Sequence, residues 1–263
     1  MIIDKSWRIL TIGDGDLSFS NGLLNAFQPT SLTATVYDSQ ATLSKKYGDE
    51  FYQKLATLNI QTLCNFDVCE PKTWHGLVKN SFDLVIFQFP LLPAFNSLTE
   101  YQERCAQSNP NILNRHLLRQ FLINSFEHFL DPNGQQLCYI TSKDVKPYRQ
   151  WNIENSLHLN THIHYLGSAR FNIELFPGYK IRNVDRNKHV KNTKGITYVW
   201  GLDPNHQITK SLQSPQYIGD NYCRACRAGP FSNQTDATEH QTSRKHIQQI
   251  EYERLWLNHL DKQ

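Results

Sequence analysis

Residues Ile9 to Ser20 read Ile-Leu-Thr-Ile-Gly-Asp-Gly-Asp-Leu-Ser-Phe-Ser, and this stretch decides the fold. A short apolar run breaks at Gly13, turns through Gly15 and enters a helix that Ser18 or Ser20 is placed to cap. Strand, glycine turn and helix N-terminus form the unit with which an α/β sheet brings its backbone against a nucleotide-like ligand. Glycines at 13 and 15 allow positive φ and leave no Cβ between backbone and ligand. Asp14 and Asp16 set the charge of the turn. Carboxylates repel the pyrophosphate of NAD and welcome a cation, so the loop suits S-adenosylmethionine, with its sulfonium and amino group, better than a dinucleotide.

Outward from this loop, apolar runs alternate with helical patterns. Arg8–Ile12 reads as a first strand and Asn21–Phe27 as the helix after it. Leu32–Tyr37, rich in β-branched residues, is a second strand ending at Asp38. Ser39–Leu58 carries one helical period through Leu43, Tyr47, Phe51 and Leu55. Ile60–Phe66 is a third strand ending at Asp67. Phe82–Phe89 is nearly all apolar, as a strand buried on both faces should be. Asn111–Leu130 is a helix, Gln136–Thr141 a fifth strand and Trp151–Leu159 a further helix. His162–Phe171 and Gly195–Trp200 close the pattern as a strand pair. The expectation is an α/β fold: a mostly parallel, Rossmann-like sheet with helices on both faces and its ligand across the carboxyl ends of the strands. Residues 1–202 form this domain, 203–220 a polar linker carrying Pro204 and Pro215, and 221–263 a terminal module.

Composition narrows the function classes. At 263 residues the chain can hold one sizeable core plus a small appended unit. Hydrophobic content of 39% and charged content of 19% suit a globular protein. Neither a bilayer-spanning run nor a secretory signal is visible, so the expected location is intracellular: cytoplasmic, or nucleolar in a eukaryote. Cys64, Cys69, Cys105 and Cys138 are scattered and read as buried free thiols rather than a disulfide framework. Gly-x-Ser-x-Gly and His-Glu-x-x-His are absent, which removes the common hydrolase motifs. A net charge of +3 is mild, so contact with nucleic acid must come from local clusters.

The strand ends supply acids. Asp38, about twenty residues after the glycine loop, is placed to accept ribose hydroxyls. Asp67 is placed to receive an adenine amino group. Several larger motifs then extend the pattern: Gly13–Ser20, Thr33–Ser39, Phe82–Pro90, Asn114–Leu118, Lys143-Asp144, Pro147–Ile153 and Phe176–Tyr179. In order and spacing, residues 9–200 resemble the ribosomal RNA uridine-N3 methyltransferase-like domain typified by the yeast enzyme that modifies 25S RNA. The resemblance implies a class I methyltransferase fold and a donor site of Gly13, Asp14, Gly15, Asp16, Ser18, Asp38, Ser39, Asp67 and Gln88. The chain departs from the family after the fourth strand, where Gln88-Phe89-Pro90-Leu91 replaces a common Asn-Phe-Pro-His. Gln88 keeps an amide but reaches one methylene further, and Leu91 cannot hydrogen-bond.

Methyl transfer to uridine N3 is a displacement in which the ring N–H must lose its proton. Gln88, Asp144 and Asp16 are the candidates to accept or guide it. Lys143 can steady charge or touch phosphate. The segment Lys180–Lys194 holds Lys180, Arg182, Arg186, Lys188, Lys191 and Lys194 against the single acid Asp185. Lys143, Lys180, Arg182, Arg186 and Lys188 are therefore the expected RNA contacts.

The terminal module carries Cys223-x2-Cys226-x13-His240-x5-His246. Two thiolates from a knuckle and two imidazoles from a helix suit a closed tetrahedral Zn²⁺, with Phe231 as core aromatic. The histidine gap and the Ser-Arg-Lys-His ending resemble matrin-type fingers, a class associated with RNA. Arg224, Arg227, Arg244 and Lys245 are available to phosphates. Ile247–Leu260 extends the helix, with Ile250, Trp256 and Leu257 to pack on the main domain and His259 facing solvent. Two functions fit: a methyltransferase acting on RNA, ribosomal RNA in particular, or a methyltransferase-like module without transfer activity that binds RNA or protein.

Overall fold

The computed structural model describes residues 1–92, 97–105, 109–182 and 194–262. Its strands are β1 (Arg8–Ile12), β2 (Ser31–Thr35), β3 (Gln61–Leu63), β4 (Leu84–Gln88), β5 (Leu137–Ser142), β6 (His164–Phe171) and β7 (Gly195–Gly201). They form one sheet in the order β3-β2-β1-β4-β5-β7-β6. β1 to β5 run parallel, and β7 lies antiparallel between β5 and β6. This is the class I methyltransferase arrangement. The strand order reverses beside β1, which leaves a crevice at the carboxyl ends of β1 and β4.

The period-two alternation of the central strands builds a core on each face. Ile9, Leu84, Ile86, Leu137 and Tyr139 point one way and pack with Phe19 and Leu23 of α1 (Ser18–Phe27). Leu10, Ile12, Val85, Phe87, Cys138 and Ile140 point the other way, toward Leu118, Phe121 and Leu122. Those three belong to α5 (Pro110–Asn124). Both faces are covered, which is why the β4 run is continuously apolar.

The helical segments differ from the sequence pattern where local chemistry interrupts it. The period expected over Ser39–Leu58 is split into α2 (Gln40–Tyr47) and α3 (Glu50–Thr57), because Gly48 adopts φ +83° between them. The third strand is shorter than expected. α4 (Leu98–Cys105) has no counterpart in the sequence pattern, and the segment after Trp151 is reduced to α6 (Ile153–Ser156). Of the four scattered cysteines, only Cys138 is fully buried; the others are half-buried, and all four are free.

The C-terminal module is docked rather than tethered. It contains α7 (Gln234–Thr242) and α8 (Arg244–Leu260). Trp256 of α8 is fully buried and its Nε1 donates to the Ser156 carbonyl at 2.8 Å. Ile250 and Leu257, expected to pack beside it, are exposed. The contact is instead polar: Glu253 receives Arg115 at 2.8 Å, and Gln249 donates to the Gln150 carbonyl at 3.2 Å. Arg227 is held against Glu154 at 2.9 Å and Asp144 at 3.3 Å, and it donates to the Tyr198 hydroxyl at 2.9 Å. It is thus spent on docking, not offered to phosphate. The segment expected as a linker is itself strapped to β6 through a two-way backbone pairing of Ser168 and Gln213. Gly167 is required there, since a Cβ would lie 2.7 Å from the Gln213 carbonyl oxygen.

Candidate active site and metal centre

The carboxyl ends of β1, β2, β3 and β4 surround a cleft of about 490 Å³. Gly13 opens it with φ +60°, and a Cβ there would meet the Phe87 ring at 2.9 Å. Gly15 is not left-handed, so only the first glycine of the loop is needed for its conformation. The helix α1 is capped by the acids rather than by Ser18 or Ser20. Asp14 Oδ2 accepts from the Ser20 amide at 2.7 Å, and Asp16 Oδ1 from the Ser18 amide at 3.0 Å. The Ser20 hydroxyl is instead bonded to Thr11 at 2.7 Å. Burial, with Asp16 close by, pushes the Asp14 carboxyl up to about 7. A cation bound in the cleft beside it would favour the charged form.

The remaining predicted donor residues divide. Asp38 and Asp67 line the cleft. Asp38 is gripped by Lys46 through both carboxylate oxygens, at 2.9 and 3.0 Å. Asp67 accepts from the Cys69 amide at 2.8 Å, which shapes its own turn. Ser18 and Ser39 do not line the cleft. Ser18 is fully buried and bonds Asp16 and the Lys180 amide; Ser39 caps α2 by accepting from the Thr42 amide at 3.2 Å.

Gln88 ends β4 at the cleft wall, and among the described residues neither its Nε2 nor its Oε1 has a hydrogen-bond partner although both atoms are buried. Phe89 beside it is forced to φ +48°, an uncommon conformation for an aromatic residue. Past Pro90, the Leu92 amide donates to the Asn114 side chain at 3.2 Å, which pins this loop to α5. The same wall carries His116, whose Nδ1 lies 3.2 Å from His259 Nε2. His259 is therefore half-buried between the two parts of the chain instead of facing solvent.

Asp144 lies outside the cleft. Its carboxyl bonds Arg149 and approaches Arg227, and these partners hold it below the usual carboxylate range. A carboxylate so paired is a poor proton acceptor. Asp16 is likewise committed, to Arg182 at 2.6 Å. Arg182 thus closes the lip of the cleft rather than presenting itself to phosphate, while Lys180 is exposed beside it. Lys143 also lies outside the cleft, over the Tyr148 ring at 5.7 Å. Arg186 and Lys188 fall outside the described residues.

In the terminal module one ligand atom from each of Cys223, Cys226, His240 and His246 falls within 4.8 Å of the others. His246 Nδ1 lies 3.5 and 3.6 Å from the two sulfurs and 3.2 Å from His240 Nε2. A tetrahedron around Zn²⁺ at ordinary bond lengths has sulfur–nitrogen edges of about 3.6 Å and nitrogen–nitrogen edges of about 3.3 Å. The four residues fit that ion. The two histidines do not share a helix, however: the chain breaks at Ser243, whose hydroxyl caps α8.

Comparison with known proteins identifies the scaffold. A model of the BMT5-like family, described as rRNA (uridine-N3-)-methyltransferase, matches residues 10–183. The chain belongs to this family. In Arabidopsis thaliana, the uncharacterized protein At4g26485 is 29% identical over 179 residues, covering 65% of this chain and 79% of its own length. Heavy metal-associated isoprenylated plant protein 41 from the same plant is 27% identical over 188 residues, covering 68% of this chain but 33% of its own length. Among solved structures, a methyltransferase from Pyrococcus furiosus superposes with a TM-score of 0.46 at 12% identity, over 76% of this chain and 77% of that one. A putative tRNA (m1A22) methyltransferase from Streptococcus pneumoniae, solved with S-adenosyl-L-methionine, gives 0.42 at 8% identity, over 97% and 92%.

Membership in the BMT5-like family places the chain among RNA methyltransferases. The sequence pattern points to the acids of the cleft but not to several of their neighbours, among them Tyr37, Lys46, Tyr47, His116 and Tyr179. Lys46 lies within a helix and Tyr179 in a loop, where no strand-end rule finds them. The one signal His116 offers is its place in the Asn114–Leu118 motif. Among the described residues no helix is long and apolar enough to cross a membrane.

Proposed function

We propose that this protein transfers a methyl group from S-adenosylmethionine to N3 of a uridine in ribosomal RNA, inside the cell. The observation that carries the reading is the Gln88 amide: buried, without a partner among the described residues, and part of the cleft lining beside the acidic loop. An amide carrying both a donor and an acceptor is complementary to a pyrimidine edge, and leaving it unpaired costs stability that a bound base recovers. In the same cleft lie Gly13 and Gly15, whose backbone supports close approach of the donor, Asp14 and Asp16, whose carboxylates support a cation, and Asp38, which supports a contact with ribose hydroxyls. When bound, the sulfonium supplies an activated methyl group; the chain's task is to orient the base and exclude water.

The Cys223, Cys226, His240 and His246 set supports a structural Zn²⁺, since four protein ligands leave no open position for catalysis. Residues 221–263 then form a finger unit docked on the 1–202 domain. Arg224, Arg244 and Lys245 remain exposed on it for RNA.

The test is transfer of tritiated methyl groups from S-adenosylmethionine to unmodified ribosomal RNA, followed by nucleoside analysis. The expected product is N3-methyluridine. Donor binding without incorporation into RNA defeats the reading and favours a binding module, the outcome that replacement of the family's Asn and His by Gln88 and Leu91 makes worth measuring.

A further inference from the structure

The acids of the cleft are all committed. Asp14 caps α1, Asp16 holds Arg182, Asp38 holds Lys46 and Asp67 holds its own turn. Asp144 lies outside, between two arginines. Among the described residues, the wall formed by Gln88, Leu91, Leu113 and Leu117 carries one imidazole, His116. That ring meets His259, which comes from the last turns of α8 in the finger unit. His259 is held in turn by stacking on the fully buried Trp256, with ring centroids 5.5 Å apart and planes at 21°. Two rings perpendicular to one another, with nitrogens 3.2 Å apart, make an N–H···N hydrogen bond.

We propose that His116 is the catalytic base for methyl transfer to uridine N3, and that His259, supplied by the finger unit, is its positioning residue. The inference rests on the methyltransferase reading above. With Nδ1–H donated to His259, Nε2 of His116 is the basic nitrogen. The uridine N3–H bond breaks and its proton passes to that Nε2. The lone pair left on N3 forms the bond to the methyl carbon, and the carbon–sulfur pair stays with sulfur as the neutral thioether leaves. The imidazolium, still bonded to His259, later returns its proton to water. Burial lowers the basicity of His116, aided by His259 and Arg119 on the faces packed against it, so the ring is neutral at pH 7 and able to accept a proton. Burial does the same for His259, with Lys262 and Arg119 contributing, so the pair is not opposed by like charge. The finger is thereby more than an RNA handle: its docked helix completes the catalytic wall.

The experiment uses the full chain with its zinc, tritiated S-adenosylmethionine and unmodified ribosomal RNA transcribed in vitro. His116→Gln is expected to lower kcat by about 100-fold or more with little change in KM for RNA. The rise of kcat with pH through the titration of His116 should vanish with it. His259→Ala should lower kcat about tenfold, and His259→Gln, which keeps an acceptor for Nδ1–H, should restore part of it. Nitrogen-15 imidazole spectra of the substrate-free protein should place the proton of His116 on Nδ1. Retention of kcat within about threefold in His116→Gln, or a proton on Nε2 of wild-type His116, overturns the assignment. A wild-type protein that leaves RNA unmethylated removes the methyltransferase reading and the base with it; an active wild type with an active His116→Gln removes the base alone.

Discussion

Arg115 of α5 and Glu253 of α8 meet at 2.8 Å with the arginine side chain wholly buried. The guanidinium also donates to the Gln150 carbonyl at 2.6 Å, and Glu253 collects Asn152 and Gln249 at 3.1 and 2.7 Å. The seam between the sheet and the C-terminal module is therefore a polar network around the buried Trp256.

Breaking that network from one side strands a buried charge. Glu253→Ala should destabilise the protein by about 3 kcal/mol, the lower end of the range for orphaned buried pairs because Glu253 keeps some solvent contact. Glu253→Gln should recover part of this. Urea unfolding measures it, and a loss below about 1 kcal/mol means that the pair is not holding the seam.

Much of the sheet is legible in the sequence because each central strand is covered on both faces, and an apolar run as short as Phe82–Phe89 suits a buried strand better than a helix. The glycine loop is legible because Gly13 is required by φ and by the Phe87 ring. What sequence spacing cannot reveal is commitment. Arg182 carries suitable chemistry, but its partner Asp16 lies far along the chain, and Asp144 is held both by nearby Arg149 and by distant Arg227, which only the fold brings to it. The same holds for Arg227, readable as a phosphate contact until Glu154 and Tyr198 stand beside it. The spacing of Cys223, Cys226, His240 and His246 is plain in the sequence, while the break at Ser243 is hidden because a capping serine inside a polar helix leaves no change in periodicity.

Lys46 occupies the carboxylate proposed for the donor ribose. Asp38→Ala should weaken binding of S-adenosylmethionine by about 10- to 100-fold, the worth of hydrogen bonds to a charged acceptor. Lys46→Met releases Asp38 and should tighten binding. Calorimetry on both variants decides the point: equal affinities for Asp38→Ala and wild type would remove Asp38 from the ribose site.

If the proposed Zn²⁺ is held by Cys223, Cys226, His240 and His246, its removal should loosen both parts of the chain. Zinc is expected at one equivalent and absent from Cys226→Ser. Because Arg227 follows the second thiolate and is bonded into Glu154 and Tyr198, the loss should lower the melting temperature of the whole protein rather than melt the finger alone. Retained stoichiometric zinc in the variant contradicts the ligand set.

With the donor bound beside Asp14 as proposed, its binding should depend on pH. The folded pKa of Asp14 is raised, to about 7. The raised value makes its share of stability complete below the unfolded pKa of about 4 and lost as pH climbs through about 7. A bound cation favours the carboxylate, so affinity should rise with pH across the same window, and binding at about pH 6.5 should release a proton. Calorimetry in two buffers of different ionisation heat reads that release directly. Asp14→Asn, which keeps an acceptor for the Ser20 amide, should flatten the profile; proton release persisting in the variant would place the titration elsewhere.

Gln88 sets function against stability. Two buried amide atoms without partners among the described residues cost about 1–3 kcal/mol in the free protein. Leucine is one heavy atom smaller than glutamine and has nothing to satisfy. Gln88→Leu should therefore raise stability by about 1 kcal/mol or more, visible as a melting temperature higher by about 2–4 °C for a chain of this size. It should also abolish methyl transfer while S-adenosylmethionine still binds, because the acceptor base loses its edge contact and the donor keeps its acidic loop. Gln88→Glu separates shape from pairing: it retains the length, places a charge in the wall, and should lose both stability and transfer. A Gln88→Leu protein that is less stable than wild type would mean the amide has a partner in solution, and the cleft wall would then be complete before any base arrives.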